Sequence, residues 1–157
     1  MNLKLIYFKR RALAEAPRIL FHYTGIEFKD LMSWEYYGED WSITKPKVSF
    51  KQLPVLIIDD KHEVAQSIAI LNYIDKIAGL DIKDQIQSAK ADAILQRAQE
   101  LYAPLNPTVK FATGANLSEK RDTRKPILMS SVDDFDSIIT TRGKKTLIDA
   151  NTHASAF

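Results

Sequence analysis

Apolar side chains along this chain recur with two different periods, and the change of period marks its elements. Residues 3–8 (LKLIYF) make a short, almost continuous apolar run, the pattern of a buried strand. In residues 14–24, Ile19, Leu20 and Tyr23 fall at helical spacing, and Gly25 stands where a left-handed cap would close a helix. Pro17 carries no amide hydrogen and fits only in a first turn, so the spacing predicts a helix beginning near Ala14. A second strand follows at residues 27–32. Strand, helix and strand with short joins predict a parallel βαβ unit.

Residues 33–50 are polar and aromatic with weak periodicity, which predicts a long loop with a broken helix. Residues 55–58 and 61–64 flank Asp59-Asp60 and read as a β-hairpin. Residues 66–78 are apolar almost all round (Ile68, Ala69, Ile70, Leu71, Tyr73, Ile74, Ile77), so this helix must be buried on more than one side. Gly79 ends it. The expected order is βαβ, loop, ββα. Beyond a linker at 79–84 the pattern turns helical, with one helix over 85–102 and a second over 121–142, separated by a stretch broken at Pro104, Pro107, Gly114 and Asn116. The chain therefore divides into an α/β domain, residues 1–79, and an all-helical domain, residues 85–157.

Composition narrows the function. With 157 residues, 45% hydrophobic and 27% charged, the chain is globular and holds one ordinary domain or two small ones. Residues 1–78 carry 11 Lys+Arg and 10 Asp+Glu, and residues 79–157 carry the same, so no basic face for nucleic acid is expected. There is no cysteine, which excludes a disulfide framework, a thiolate zinc site and a dithiol redox motif of the glutaredoxin kind. Any thiol chemistry must bring its sulfur with a ligand. His22, His62 and His153 form no ligand pair at helical spacing, so no metal is expected. The opening MNLKLIYFKRR is too short in apolar residues for a signal peptide, and no stretch approaches a membrane span; a cytoplasmic location is expected.

Four local features could carry chemistry. Tyr7 ends a strand, with Arg11 in the turn beyond; such a tyrosine ordinarily packs. Gln52-Leu53-Pro54 precedes the hairpin, where a cis proline would expose the Leu53 backbone for pairing with a peptide. Gln66-Ser67 opens the apolar helix: Ser67 suits a plain N-cap, and the same free amides and dipole would bind a carboxylate. Trp41 and Lys45 stand four apart in the irregular segment and, taken separately, are surface residues.

Together, KLIYFKRRALAE, EDWSITK, SFKQLPVL and AQSIAILNYI resemble the cytosolic glutathione transferases, most closely the sigma class with its nematode relatives and the haematopoietic prostaglandin D synthases. The resemblance covers residues 2–101 well and thins beyond, although RDTRKPILMSSVDDFDSII is similar to the family's fifth helix. It implies a thioredoxin-like N-terminal domain followed by a shortened helical domain. It also implies glutathione as co-substrate and a catalytic Tyr7 that donates to the glutathione sulfur. Arg11, Trp41, Lys45, Gln52, Leu53, Pro54, Gln66, Ser67 and Glu100 would complete the glutathione site, Glu100 by reaching across a homodimer. Phe8, Leu13, Tyr102 and Leu105 would line the electrophile pocket.

Departures from the family pattern refine this. Lys51 stands where most relatives have glycine, Leu13 replaces an arginine of the vertebrate prostaglandin D synthases, and Gln96 and Gln99 replace two of their metal-binding acidic residues. The changes at Leu13, Gln96 and Gln99 argue against prostaglandin isomerase activity and metal dependence and leave transferase activity standing; the expected function is conjugation of glutathione to small hydrophobic electrophiles, with peroxidase or prostaglandin isomerase chemistry as a side activity at most. The closing TLIDANTHASAF resembles the approach to a capping box that nucleates the family's central helix, so a fragment, a splice form and a degenerate copy all remain open. The alternative function is a non-catalytic glutathione-transferase-like binding or structural protein. Neither reading involves nucleic acid or a membrane.

Overall fold

The computed structural model describes residues 1–102. The predicted helix over 121–142 and Leu105 lie outside the described residues. β1 (Leu3–Tyr7), α1 (Ala12–Thr24) and β2 (Lys29–Met32) form the opening βαβ unit; β3 (Val55–Ile58), β4 (His62–Ala65) and α4 (Ser67–Ile77) form the closing ββα unit. The four strands make one sheet in the order β2-β1-β3-β4. β1 runs parallel to β2 and antiparallel to β3, and β3 runs antiparallel to β4. This is the thioredoxin-like arrangement expected from the sequence.

Burial follows sheet position. The central strands β1 and β3 are buried almost throughout, whereas β2 and β4, at the edges, have two exposed and two half-buried residues each. A strand covered on both faces needs a continuous apolar run, which is why LKLIY and VLII lack the alternation of a one-sided strand. α1 packs against α4. Phe21 of α1, Leu5 and Ile6 of β1, Leu56 of β3, and Ile70 and Ile74 of α4 are fully enclosed in one core. Phe21 stacks on Phe28 with ring centroids 4.3 Å apart.

Several boundaries differ from the sequence expectation, each for a local reason. α1 begins at Ala12, so Pro17 lies inside the helix, buried, rather than in its first turn. Only one helical hydrogen bond is lost there, and the buried ring repays part of that loss through core contact. Gly25 closes α1 in the left-handed region (φ 67°), as expected. β2 is shorter than predicted. The irregular segment resolves into α2 (Ser33–Tyr37), α3 (Trp41–Thr44) and two 3₁₀ turns, Lys45–Lys47 and Ser49–Lys51. Gly38 stops α2 with φ 69°. α5 (Gln85–Tyr102) starts where the Asp84 carboxylate accepts from the Gln87 amide at 2.8 Å. Among the described residues no helix is long and apolar enough to cross a membrane.

Candidate functional site

Strand register brings three of the candidate segments to one end of the sheet. Ile6 of β1 faces Val55 of β3, and Val55 faces Ala65 of β4. One residue further along each strand come Tyr7, Pro54 and Gln66. These positions are 47 and 12 residues apart in sequence (54 − 7 and 66 − 54), and only the sheet places them in one row. On the other side of Tyr7 stands Met32 of β2.

Each segment presents backbone or side chain in a specific way. Tyr7 is the last residue of β1 and is 6% exposed. The Leu53–Pro54 peptide is cis, and both residues are buried. Among the described residues, no hydrogen bond uses the Leu53 amide or carbonyl. Gln66 has φ 75° and ψ 124°, a left-handed value that turns the chain sharply from β4 into α4. It is Gln66, not Ser67, that occupies the cap position of α4, and no side chain caps the helix; Ser67 is the first helical residue and is buried. The first intrahelical bond runs from the Ile70 amide to the Gln66 carbonyl at 3.0 Å. The amides before it in α4 lie outside the helical ladder, at the positive end of the helix dipole.

An aromatic chain extends the site. The Tyr7 and Phe8 rings are 5.4 Å apart, and Trp41 meets Phe8 edge-on, also at 5.4 Å. Lys45, one turn beyond Trp41, is exposed, and its amide donates to the Trp41 carbonyl. Gln52 is exposed in an extended conformation after the second 3₁₀ turn. Glu63 of β4 accepts from the Ser49 amide at 3.1 Å and so ties that turn to the hairpin. Phe50 and Lys51 both sit at φ 54°. For a residue with a β-carbon this costs about 1 kcal/mol, and Lys51 bears it where most relatives have glycine.

The remaining candidates are less concentrated. The Arg11 side chain is 89% exposed and lies 3.6 Å from Glu15. Leu13 and Phe8 are half-buried against the core. Glu100, on α5, pairs with Arg97 at 2.9 Å; Tyr102 ends that helix. Among the described residues, no group of three or more acidic or histidine side chains could hold a metal.

One residue escapes the sequence reading altogether. Arg18 holds its guanidinium carbon 5.9 Å from the centre of the Tyr7 ring while bonding Asp30 and the Arg10 carbonyl. The only sequence signal is a charge set on α1 between the buried Pro17 and Phe21. Near the 3₁₀ turns, Tyr37 is half-buried and its hydroxyl has no partner among the described residues. Burial, then the charge of Glu63 and then Tyr36, push this phenol up to about 12.

A family model described as the N-terminal domain of glutathione S-transferase matches residues 3–76. Glutathione S-transferase 1 of Ascaris suum is 34% identical over 130 residues, covering 83% of this chain and 61% of that protein. A haematopoietic prostaglandin D synthase of Gallus gallus is 32% identical over 139 residues, covering 85% of this chain and 66% of that protein. The chain thus spans a little under two thirds of the length of these relatives. The crystal structure of the glutathione S-transferase from Ascaris lumbricoides superposes with a TM-score of 0.74 at 31% identity, covering 91% of this chain and 70% of that one.

Proposed function

The chain belongs to the glutathione S-transferase family, and from that premise we propose that it binds glutathione at the Tyr7 end of its sheet and transfers the thiolate to small apolar electrophiles. The observation that carries the reading is the shared row of Tyr7, Pro54 and Gln66. It sets a hydroxyl, an unused peptide edge and a helix N-terminus within the reach of one tripeptide.

The roles follow from the chemistry of each group. The γ-glutamyl carboxylate lies on the α4 amides with Gln66 and the Ser67 hydroxyl, where the dipole favours an anion. The cysteinyl amide pairs with the Leu53 backbone as an added strand would. Trp41, Lys45 and Gln52 take the glycyl end, Lys45 by charge, and Arg11 borders the site. Held in this way, the tripeptide would present its sulfur to the Tyr7 hydroxyl. A hydrogen bond to a charged acceptor contributes about 1.5–3 kcal/mol. At about 1.36 kcal/mol per unit, the thiol is acidified by roughly one to two units, from about 8.5 toward neutrality. Its proton leaves to water. The thiolate then attacks the electrophilic carbon, a carbon–sulfur bond forms, and the leaving group departs with its electron pair. Phe8 and Leu13 supply apolar surface for the electrophile. Glutathione is a co-substrate and no metal takes part. The domain division at residues 79–85, a homodimer sharing Glu100, a cytoplasmic location and placement in the sigma class belong to the same proposal, as do peroxidase and prostaglandin isomerase side activities.

The test pairs retention on immobilised glutathione with turnover of a chloronitrobenzene. Tyr7→Phe should keep the retention and lower kcat/KM at neutral pH by about ten- to a hundredfold, the thiolate fraction lost with one to two units of acidity. Undiminished turnover by Tyr7→Phe would remove the phenol from the mechanism. Folded protein that ignores millimolar glutathione would end the proposal.

A further inference from the structure

We propose that Arg18 positions and polarises Tyr7: its guanidinium, anchored from three elements, holds the phenol ring in place and makes the hydroxyl a stronger donor to the sulfur. The inference rests on the role given to Tyr7 above.

The anchoring is unusually complete for a helix-surface arginine. Nε and Nη2 bond both oxygens of Asp30 on β2, at 2.8 and 3.3 Å. Nη1 donates to the Arg10 carbonyl at 2.7 Å, in the turn that leaves β1 just after Tyr7, and lies 3.5 Å from the Glu15 carboxylate on α1. The side chain is 14% exposed. A planar fork bound at this many points has one orientation, and that orientation sets the cation 5.9 Å from the Tyr7 ring centre. Joining α1 to β2 requires only the Asp30 pair; the bond to the Arg10 carbonyl also fixes the turn that carries Tyr7.

The physical effect is differential. A cation beside an aromatic ring is attracted to its electrons. When the hydroxyl gives its hydrogen to a thiolate, electron density on the phenol rises and the attraction grows. Arg18 therefore favours the state in which Tyr7 donates to the thiolate. The other charges facing Tyr7 temper this. Asp30 and Glu15 partly neutralise Arg18, Arg11 pairs with Glu15 at 3.6 Å, Arg10 lies in the adjoining turn, and Glu35 accepts from the amide of Met32, the strand partner of Tyr7. The expected contribution is accordingly a fraction of the total acidification.

The measurement is the ultraviolet absorbance of bound glutathione thiolate against pH, on the full chain, which needs no electrophile. Arg18→Met should raise the apparent thiol pKa by about half a unit to one unit, leaving about three- to tenfold less thiolate below it. Affinity for S-methylglutathione, which has no thiol proton, should change less than about twofold, since the carboxylate and peptide contacts are untouched. Arg18→Lys should recover part of the shift by restoring charge without the fork. Asp30→Asn loosens the same anchor but leaves the cation, so the thiol pKa should stay or fall. A purely structural role would raise the pKa in Arg18→Met and Asp30→Asn alike. That result, or an unshifted pKa in Arg18→Met while the wild type ionises its ligand, overturns the inference. If Arg18→Met does not fold, the contrast between a partly raised pKa in Arg18→Lys and one that stays or falls in Asp30→Asn carries the test. A wild type that binds glutathione without ionising it refutes the role of Tyr7 itself, and Arg18 falls with it.

Discussion

Taking a phenol hydroxyl out of water without a partner costs about 1–3 kcal/mol, and Tyr37 carries that cost among the described residues. Replacing it by phenylalanine removes the unsatisfied group while keeping the ring against Tyr36, 4.9 Å away. Tyr37→Phe should therefore leave stability unchanged or raise it by about 1 kcal/mol in urea denaturation. The same side chain predicts a pH dependence. Its folded-state pKa stands at about 12 against 10.0 unfolded, raised by burial first and by Glu63 second. Between those values the folded state keeps the proton that the unfolded state has lost, so its contribution is intact below pH 10.0 and fades as pH rises to about 12. Denaturation midpoints measured across that window should fall more steeply in the wild type than in Tyr37→Phe; parallel curves would refute the assignment. At this scale the sequence is uneven. The places of Tyr7 at a strand end and Pro54 before a strand are legible because they depend on local pattern, whereas the cap of α4 is Gln66 rather than the Ser67 that suits one by residue type. Arg18 is not legible, because the partner that aims it, Asp30, arrives from another strand.

Elements are read from the sequence best where burial is most complete. α4 packs against α1 and adjoins β3 and β4 with Ile70 and Ile74 wholly enclosed, while Ile68, Leu71, Tyr73 and Ile77 are only half-buried and Ala69 is exposed, so its burial is less complete than its apolar run predicts. Ile70→Ala removes methylenes that nothing nearby can replace. It should destabilise the domain by about 2–5 kcal/mol, read as a lower urea midpoint with an unchanged slope. A loss under 1 kcal/mol would mean that the helix is held less tightly than this packing implies. The segment between β2 and β3 shows the opposite behaviour. Its short helices and turns, Ser33–Lys51, lack a continuous apolar stripe, and their limits are set by Gly38 and by the left-handed Phe50 and Lys51. Hydrophobic periodicity carries no information about such stops. The end of the sheet is where element order becomes a candidate site, since parallel β1 and antiparallel β3 and β4 deliver Tyr7, Pro54 and Gln66 to the same row.

For the whole molecule, the proposed homodimer has its own readout. The chain should sediment with the mass of two copies at micromolar concentration. Glu100→Gln should weaken glutathione binding about tenfold, the worth of one hydrogen bond to a charged group, without changing that mass. A monomer at every concentration, with Glu100→Gln binding as the wild type does, would remove the shared site. The sequence by itself determined the class of the fold, the order βαβ then ββα, the buried strands and helix, and the absence of any protein thiol, since each depends on residue type and near-neighbour spacing. Tertiary structure alone decided which distant residues share an edge, which carbonyl and carboxylates hold Arg18 against the Tyr7 ring, and which hydroxyl lacks a partner among the described residues. Those outcomes depend on strand register and on the packing of helix against sheet, which join residues far apart in sequence and leave no periodic trace in it.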